Sequence, residues 1–183
     1  MRKIFFIFAA ELFAGVVHAQ ETNAFKTEIE NLEARTNTVI VKGFGQVGSV
    51  SVGGGTISIR SKESSDFSTG IREYGVAIEL AGQNSPRQLA ILDETELEPL
   101  ANGLDYLAKI TSDASALPAF EAEFKTRSGL RFIAFSSRRQ SSIQYFIQFD
   151  GWPRISLNTD EMVQLKNLVG QALNAINDLK RSK

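Results

Sequence analysis

The sequence predicts an α+β domain over residues 20–183, built mainly from antiparallel strands. Apolar and polar residues alternate through much of residues 38–80 and 120–149, which is the period of half-buried strands. Apolar residues then recur at helical spacing in two places, residues 97–107 and 162–176. The chain is therefore predicted to form two ββββα halves, residues 38–111 and 119–180, with one short helix in front.

The first half follows that short helix, which is predicted because Phe25, Ile29 and Leu32 share one helical face. Strands are predicted at "TVIVKGF", "SVSV", "TISIR", "REYGVAIEL" and "RQLAIL", with "GGG" and "FSTG" as turns. Leucines at positions 97, 100, 104 and 107 form one stripe of the closing helix. Acidic residues at 93–96 suit the start of that helix, although Pro99 moves the predicted start toward Glu96.

The second half repeats this order of elements. Strands are predicted at "FEAEFKT", "LRFIAFSS", "SIQYFIQF" and "RISL", with "SSRRQSS" and "DGWPR" as turns. Asn158 or Thr159 can cap the last helix, with Glu161 close behind. Its predicted buried stripe is Met162, Leu165, Val169, Leu173 and Ile176.

The two strand-to-helix junctions superimpose at an offset of 65 residues, because "ILDETELEPL" lies over "SLNTDEMVQL". The aligned pairs include Leu92 with Leu157, Glu96 with Glu161, Leu97 with Met162, Leu100 with Leu165, and Leu104 with Val169. The match favours a pseudo-twofold arrangement of the halves. A general likeness among strand-to-helix junctions explains it equally well, so an internal duplication stays one of two interpretations.

The stretch "KGFGQVGSV" has the spacing of a dinucleotide-binding fingerprint, Gly43-x-Gly45-x-x-Gly48. That fingerprint needs a helix directly after the glycines, so that the pyrophosphate meets a helix N-terminus. Here the alternating "SVSVGGGTISIR" follows instead. The three glycines are therefore predicted to form bends or bulges between two antiparallel strands, and no cofactor is predicted.

The N-terminus reads as a signal peptide over residues 1–19. Arg2 and Lys3 precede an apolar run, Ile4 to Val17, which is interrupted by Glu11, and cleavage is predicted after Ala19. The run is too short for a membrane anchor, which needs roughly 20 apolar residues, and the absence of cysteine excludes a lipoprotein anchor. The product is therefore expected to be exported, to the periplasm or beyond. Cleavage changes the formal net charge from −1 to −2, which gives no indication of nucleic-acid binding.

Much catalytic chemistry is excluded after cleavage, because His18 is the only histidine and the chain has no cysteine. Ser–His–Asp triads, Cys–His pairs and ordinary zinc or copper sites all need those residues. Whether the protein is an enzyme is left open, and a binding or structural module without a catalytic centre is favoured. The alternative is a carboxylate-dependent hydrolase of an envelope polymer, with two acids about 5–10 Å apart. Glu121 and Glu123 share a strand face, but such a row is typical of a solvated surface.

Basic residues cluster around the 125–139 hairpin, and an aromatic residue follows in "DGWPR". The hairpin could grip a carboxylate, sulfate or phosphate, and Trp152 beside Arg154 could stack on a sugar ring or a peptide. Simpler interpretations are a solvated hairpin, a tryptophan that closes the core, or pairing with the acidic helix of the first half. The candidate binding residues are Arg127, Arg131, Arg138, Arg139, Trp152 and Arg154.

The predicted ββββα halves resemble the repeat of PUR and Whirly types of single-strand nucleic-acid binders. That resemblance implies strand faces that carry basic and aromatic residues, although export argues against a nucleic-acid partner. "VIVKGF", "YGVAIEL", "LDYLAKI" and "FEAEFKTRSGLRFIAF" are also similar to a group of exported bacterial proteins of unknown function, a likeness that implies no activity. The expected partner is a protein or a small anionic ligand, and self-association through a sheet edge is a further option.

Overall fold

The structure is a computed structural model that describes residues 27–182 apart from 83–85 and 138–139, and for residues 140–141 it describes the backbone alone. It is an α+β fold with two four-stranded antiparallel sheets, each in the order of the sequence. The first sheet consists of β1 (Ile40–Val52), β2 (Gly55–Asp66), β3 (Arg72–Gly82) and β4 (Gln88–Asp93). The second consists of β5 (Ala119–Lys125), β6 (Arg131–Ser137), β7 (Gln140–Gln148) and β8 (Ile155–Leu157). The helices are α1 (Glu28–Glu33), α2 (Glu94–Lys109) and α3 (Thr159–Arg181).

Two long helices lie on the inner faces of both sheets. Lys180 near the end of α3 pairs with Glu94 at the start of α2, and Lys166 pairs with Asp105, so α2 and α3 run antiparallel. One apolar core joins the inner faces of the two sheets to both helices. The predicted halves are thus two ββββα units that share a single core.

The junction positions aligned in the sequence play equal structural roles. Glu96 accepts a hydrogen bond from the N–H of Asp93 at 3.1 Å, and Glu161 accepts one from the N–H of Asn158 at 2.7 Å. The aligned apolar pairs are all buried. Asn158 also caps α3 by accepting from the N–H of Glu161 at 2.8 Å, as predicted.

A small second cluster lies on the outer face of the first sheet. Ile29 of α1 packs there against Ala77 and Ile91, beside Gly75 of β3. The predicted short helix is therefore present, and it spans six residues. Phe25, which was expected on its buried face, lies outside the described residues.

Three sequence predictions need correction. Helix α2 begins at Glu94 and contains Pro99, because the Asp93–Glu96 contact fixes its start. "KGFGQVGSV" contains no break between strands: β1 runs through it, with one register shift between Gln46 and Gly48. The predicted bulge is thus confirmed, and the prediction of two separate strands is wrong. On α3, Ala172 is fully buried, whereas Leu173, which was predicted in the buried stripe, is half-buried and packs against the core.

No helix in the described ranges is long and apolar enough to cross a membrane.

Candidate ligand-binding cleft

Arg127 joins the two halves of the protein. Its guanidinium pairs with the carboxylate of Asp93 at 3.2 Å, and its backbone N–H donates to Oε1 of Glu96 at 2.7 Å. Asp93 also accepts from the N–H groups of Glu28 and Ile29 at the start of α1, at 2.9 and 3.2 Å. The interpretation that the basic hairpin pairs with the acidic helix is confirmed at this contact, where Arg127 already has a carboxylate partner within the protein.

Two other predicted site residues lie on the outer face of the second sheet, where they pair with carboxylates. Arg154 makes two hydrogen bonds to Glu121, at 2.8 and 3.0 Å, and lies 6.0 Å from the centre of the Phe146 ring. Arg131 contacts Glu123 at 3.5 Å. An anion would have to displace these carboxylates. Arg138 and Arg139 lie outside the described residues.

Trp152 is half-buried and packs against the core, as the simpler interpretation predicted. It also lines a cleft of about 850 Å³ that runs between the two sheets. We call this the β4 cleft. It is bounded by α1, by the free edge of β4, and by the turns that follow β5 and β7; its lining includes Glu33, Arg87, Gln88, Leu89, Leu130 and Trp152.

One wall of the β4 cleft is the edge of a sheet. Strand β4 pairs with β3 on one side, and among the described residues no strand pairs with its other side. Leu89 is 57% exposed on this wall. Gln88 is only 7% exposed, yet its Oε1 has no hydrogen-bond partner among the described residues. The wall therefore offers unpaired backbone groups, one apolar side chain and one buried acceptor.

The opposite wall carries a charge network that is already satisfied. Glu33 accepts from Lys42 and from Lys62, each at 2.7 Å, and from the hydroxyl of Ser64 at 2.5 Å. Burial alone would raise the pKa of Glu33, but these hydrogen bonds outweigh it and hold the pKa below its ordinary value. Glu33 is therefore ionised at neutral pH and is not suited to be a general acid.

A raised carboxyl pKa occurs elsewhere, at Glu73 on the outer face of β3. Burial raises the pKa of Glu73, and the nearby carboxylates of Glu28, Asp93 and Glu94 raise it further. Glu73 does not line the β4 cleft. The hydrolase hypothesis needs a raised acid and an ionised partner in one cleft, and Glu73 and Glu33 do not share the β4 cleft.

A second cleft, of about 620 Å³, lies between the inner face of β1 and the last turns of α3. Its floor is formed by Gly43, Gly45 and Ser61, and its wall by Ala175 and Leu179. The two glycines leave space where side chains would otherwise fill the sheet–helix interface. We call this feature the β1 groove.

No group of three or more His, Cys, Asp or Glu side chains in the described part of the chain is placed to hold a metal ion. Comparisons with protein-family models, curated proteins and solved structures found no match to this chain. The assignment of function therefore depends on the chemistry of the two clefts.

The sequence named Trp152 as a candidate binding residue, and Trp152 lines the β4 cleft, but the sequence did not point to the other cleft residues. Gln88 and Leu89 stand in a short apolar strand, and nothing in "RQLAIL" indicates that its outer edge stays open. Edge position depends on the order of strands in the sheet, which is a tertiary property. The one local signal was Leu89 itself, an apolar residue next to Arg87 and Gln88.

Proposed function

We propose that the protein is an exported binding module, without a catalytic centre, that takes up an extended peptide segment of a partner protein in the β4 cleft. The observation that carries the proposal is the meeting of three features in one cleft. These are the free edge of β4, the buried unpaired acceptor of Gln88, and the aromatic plane of Trp152. Export is supported by the signal-like residues 1–19.

A peptide fits these features better than a small anion does. An extended chain added to a strand edge gains main-chain hydrogen bonds, and its alternate side chains enter neighbouring pockets. A peptide N–H or a polar side chain could supply the donor that Gln88 Oε1 lacks. The cations near the cleft are occupied, since Lys42 pairs with Glu33 and Arg87 with Glu79 at 3.1 Å.

The experiment uses the intrinsic fluorescence of Trp152, which is the only tryptophan in the chain. Pools of synthetic peptides about as long as β4, with alternating apolar and polar residues, are titrated into the protein. Peptide binding should quench or blue-shift the emission as water leaves the indole. Neutral oligosaccharides are titrated in parallel, because an aromatic plane can also stack on a sugar.

Leu89→Glu tests the location of the site. The side chain is largely exposed, so folding should tolerate the change, while a carboxylate on the apolar wall should weaken binding about tenfold or more, equivalent to roughly 1.4 kcal/mol. Leu117→Glu is the matched control, because Leu117 is 71% exposed and lies outside the lining of the cleft. Equal effects of the two variants, or a response to oligosaccharides alone, would contradict the proposal. Recovery of cleaved peptide would contradict the absence of catalysis.

A further inference from the structure

Among the described residues, no strand pairs with the outer edge of β1 along its first seven residues. Strand β1 lies at the edge of the first sheet, and residues 40–46 pair with β2 in unbroken register, from Ile40 opposite Asp66 to Gln46 opposite Arg60. The far end of the strand is closed, because α3 packs on Gly48 through Leu168 and Val50 and Val52 are buried. The seven-residue segment is the exposed part of β1, and only one of its residues is charged.

Natural proteins protect such edges with charged side chains, proline, bulges or short strands. This segment has no proline, its bulge comes after Gln46, and its single charge, Lys42, is drawn toward Glu33 of the same chain. Apolar side chains are exposed instead: Val41 is 54% exposed on the inner face, and Phe44 equally so on the outer face. The edge is therefore built like an interface rather than a protected end.

The segment is complementary to itself. If two copies pair antiparallel about a twofold axis at Gly43, then Lys42 of each copy lies opposite Phe44 of the other on the outer face. That arrangement places a cation beside an aromatic ring twice. On the inner face Val41 of each copy lies opposite Gly45 of the other. Because Gly43 and Gly45 carry no side chains, each valine can enter the partner's β1 groove, beside Leu179.

We propose that the protein forms a homodimer by antiparallel pairing of β1 with β1, which joins the two first sheets into one eight-stranded sheet. A twofold interface requires the same patch on both copies, and the Lys42–Phe44 and Val41–Gly45 pairs each satisfy this requirement. A strand from a different protein would have to present matching residues at these positions, because no symmetry axis would supply them. Of the four residues in these pairs, Lys42 alone also lines the β4 cleft, so most of the interface lies apart from the peptide site.

Gly43→Cys tests the register directly, because the chain has no cysteine and any disulfide must link two copies. A side chain at position 43 would meet only Cβ of Glu63, at 3.9 Å, so the variant should fold. Residues opposite each other in an antiparallel pair have Cα atoms roughly 4.5–5.5 Å apart, within the range of about 4.4–6.8 Å that a disulfide spans. Gly53→Cys is the matched control, since position 53 lies in the β1–β2 turn with open space around it.

We expect the Gly43→Cys variant to crosslink rapidly under mild oxidation and the Gly53→Cys variant to crosslink only slowly. Sedimentation of the unmodified protein should give twice the mass of one chain. Val41→Lys should shift it toward the monomer, whereas Val163→Lys on α3, at a residue 40% exposed, should not. A monomeric unmodified protein, or equal crosslinking of the two cysteine variants, would overturn the proposal. A dimer that survives Val41→Lys would overturn it as well, by showing that another surface is used.

Discussion

Replacing Glu33 by glutamine should destabilise the protein mainly through a different residue, Lys62. The side chain of Lys62 is 6% exposed and pairs with Glu33 at 2.7 Å. Removing one partner of a buried ion pair leaves an uncompensated charge and costs about 3–5 kcal/mol. Lys62 keeps a cation–π contact with Phe44 at 5.5 Å, so we expect the lower end of that range, about 3 kcal/mol. The ion pair between Lys42 and Glu33 contributes little to the free energy of unfolding, because the side chain of Lys42 is exposed.

A double-mutant cycle separates this effect from simple loss of the carboxylate. Replacing a buried ion pair with apolar atoms is often neutral, so Glu33→Gln combined with Lys62→Met should lie within about 1 kcal/mol of the unmodified protein. The coupling energy should then be about 2–3 kcal/mol in magnitude, as contacting residues can show. Urea unfolding followed by Trp152 fluorescence gives each free energy of unfolding. If the double variant is as unstable as Glu33→Gln alone, the buried charge is not the cause.

The pH dependence has a defined sign. The folded-state pKa of Glu33 lies below its ordinary value, so its stabilisation is present above the unfolded pKa, about 4.3. That stabilisation is lost as the pH falls through the lower folded-state pKa. The difference in unfolding free energy between the unmodified protein and Glu33→Gln should therefore be largest near neutral pH and shrink in acid. A difference that grows in acid would refute the assignment.

Three further results are expected. Asp66→Ala should lower the thermal midpoint at neutral pH but have less effect below about pH 3. The reason is that hydrogen bonds from Thr38, Ser68 and Arg35 hold the pKa of Asp66 well below its ordinary value. Thermal unfolding scans at the two pH values check this. Gly75→Ala should prevent folding, since its Cβ would lie 2.0 Å from the carbonyl oxygen of Leu92, while Gly43→Ala should fold normally by circular dichroism. Ile29→Ala should cost about 2–5 kcal/mol in urea unfolding, because Ile29 is fully buried.

Most of this fold could be predicted because the spacing of apolar residues along the sequence identifies its strands and helices. The strand faces of "REYGVAIEL" are as predicted, with Val76, Ile78 and Leu80 buried in the core and Glu79 on the other face, paired with Arg60. The capped start of α3 at Asn158 was also readable, since a cap and its Glu161 lie within one turn. Such features depend on neighbours a few residues away.

The sites were less predictable because they depend on which strands end at the edges of the sheets. Five of the six predicted binding residues are arginines: three of them pair with carboxylates, and two lie outside the described residues. Arg127 finds Asp93 and Glu96, and Arg154 finds Glu121, each more than thirty residues away. No periodicity links such positions, so the sequence does not show that these cations already have carboxylate partners in the fold.

The glycine stretch "KGFGQVGSV" shows how one local irregularity can decide which surface a protein presents. In an unbroken strand Phe44, Gln46, Val50 and Val52 would share one face, because side chains alternate with period two. The bulge between Gln46 and Gly48 reverses that alternation, so Val50 and Val52 enter the core while Phe44 turns outward to Arg60 and Lys62, at 5.3 and 5.5 Å. The same shift turns positions 43 and 45 inward, where glycines leave the β1 groove open. The stretch with the spacing of a cofactor fingerprint thus packs one end of β1 against α3, while its other end has one edge without a strand partner among the described residues.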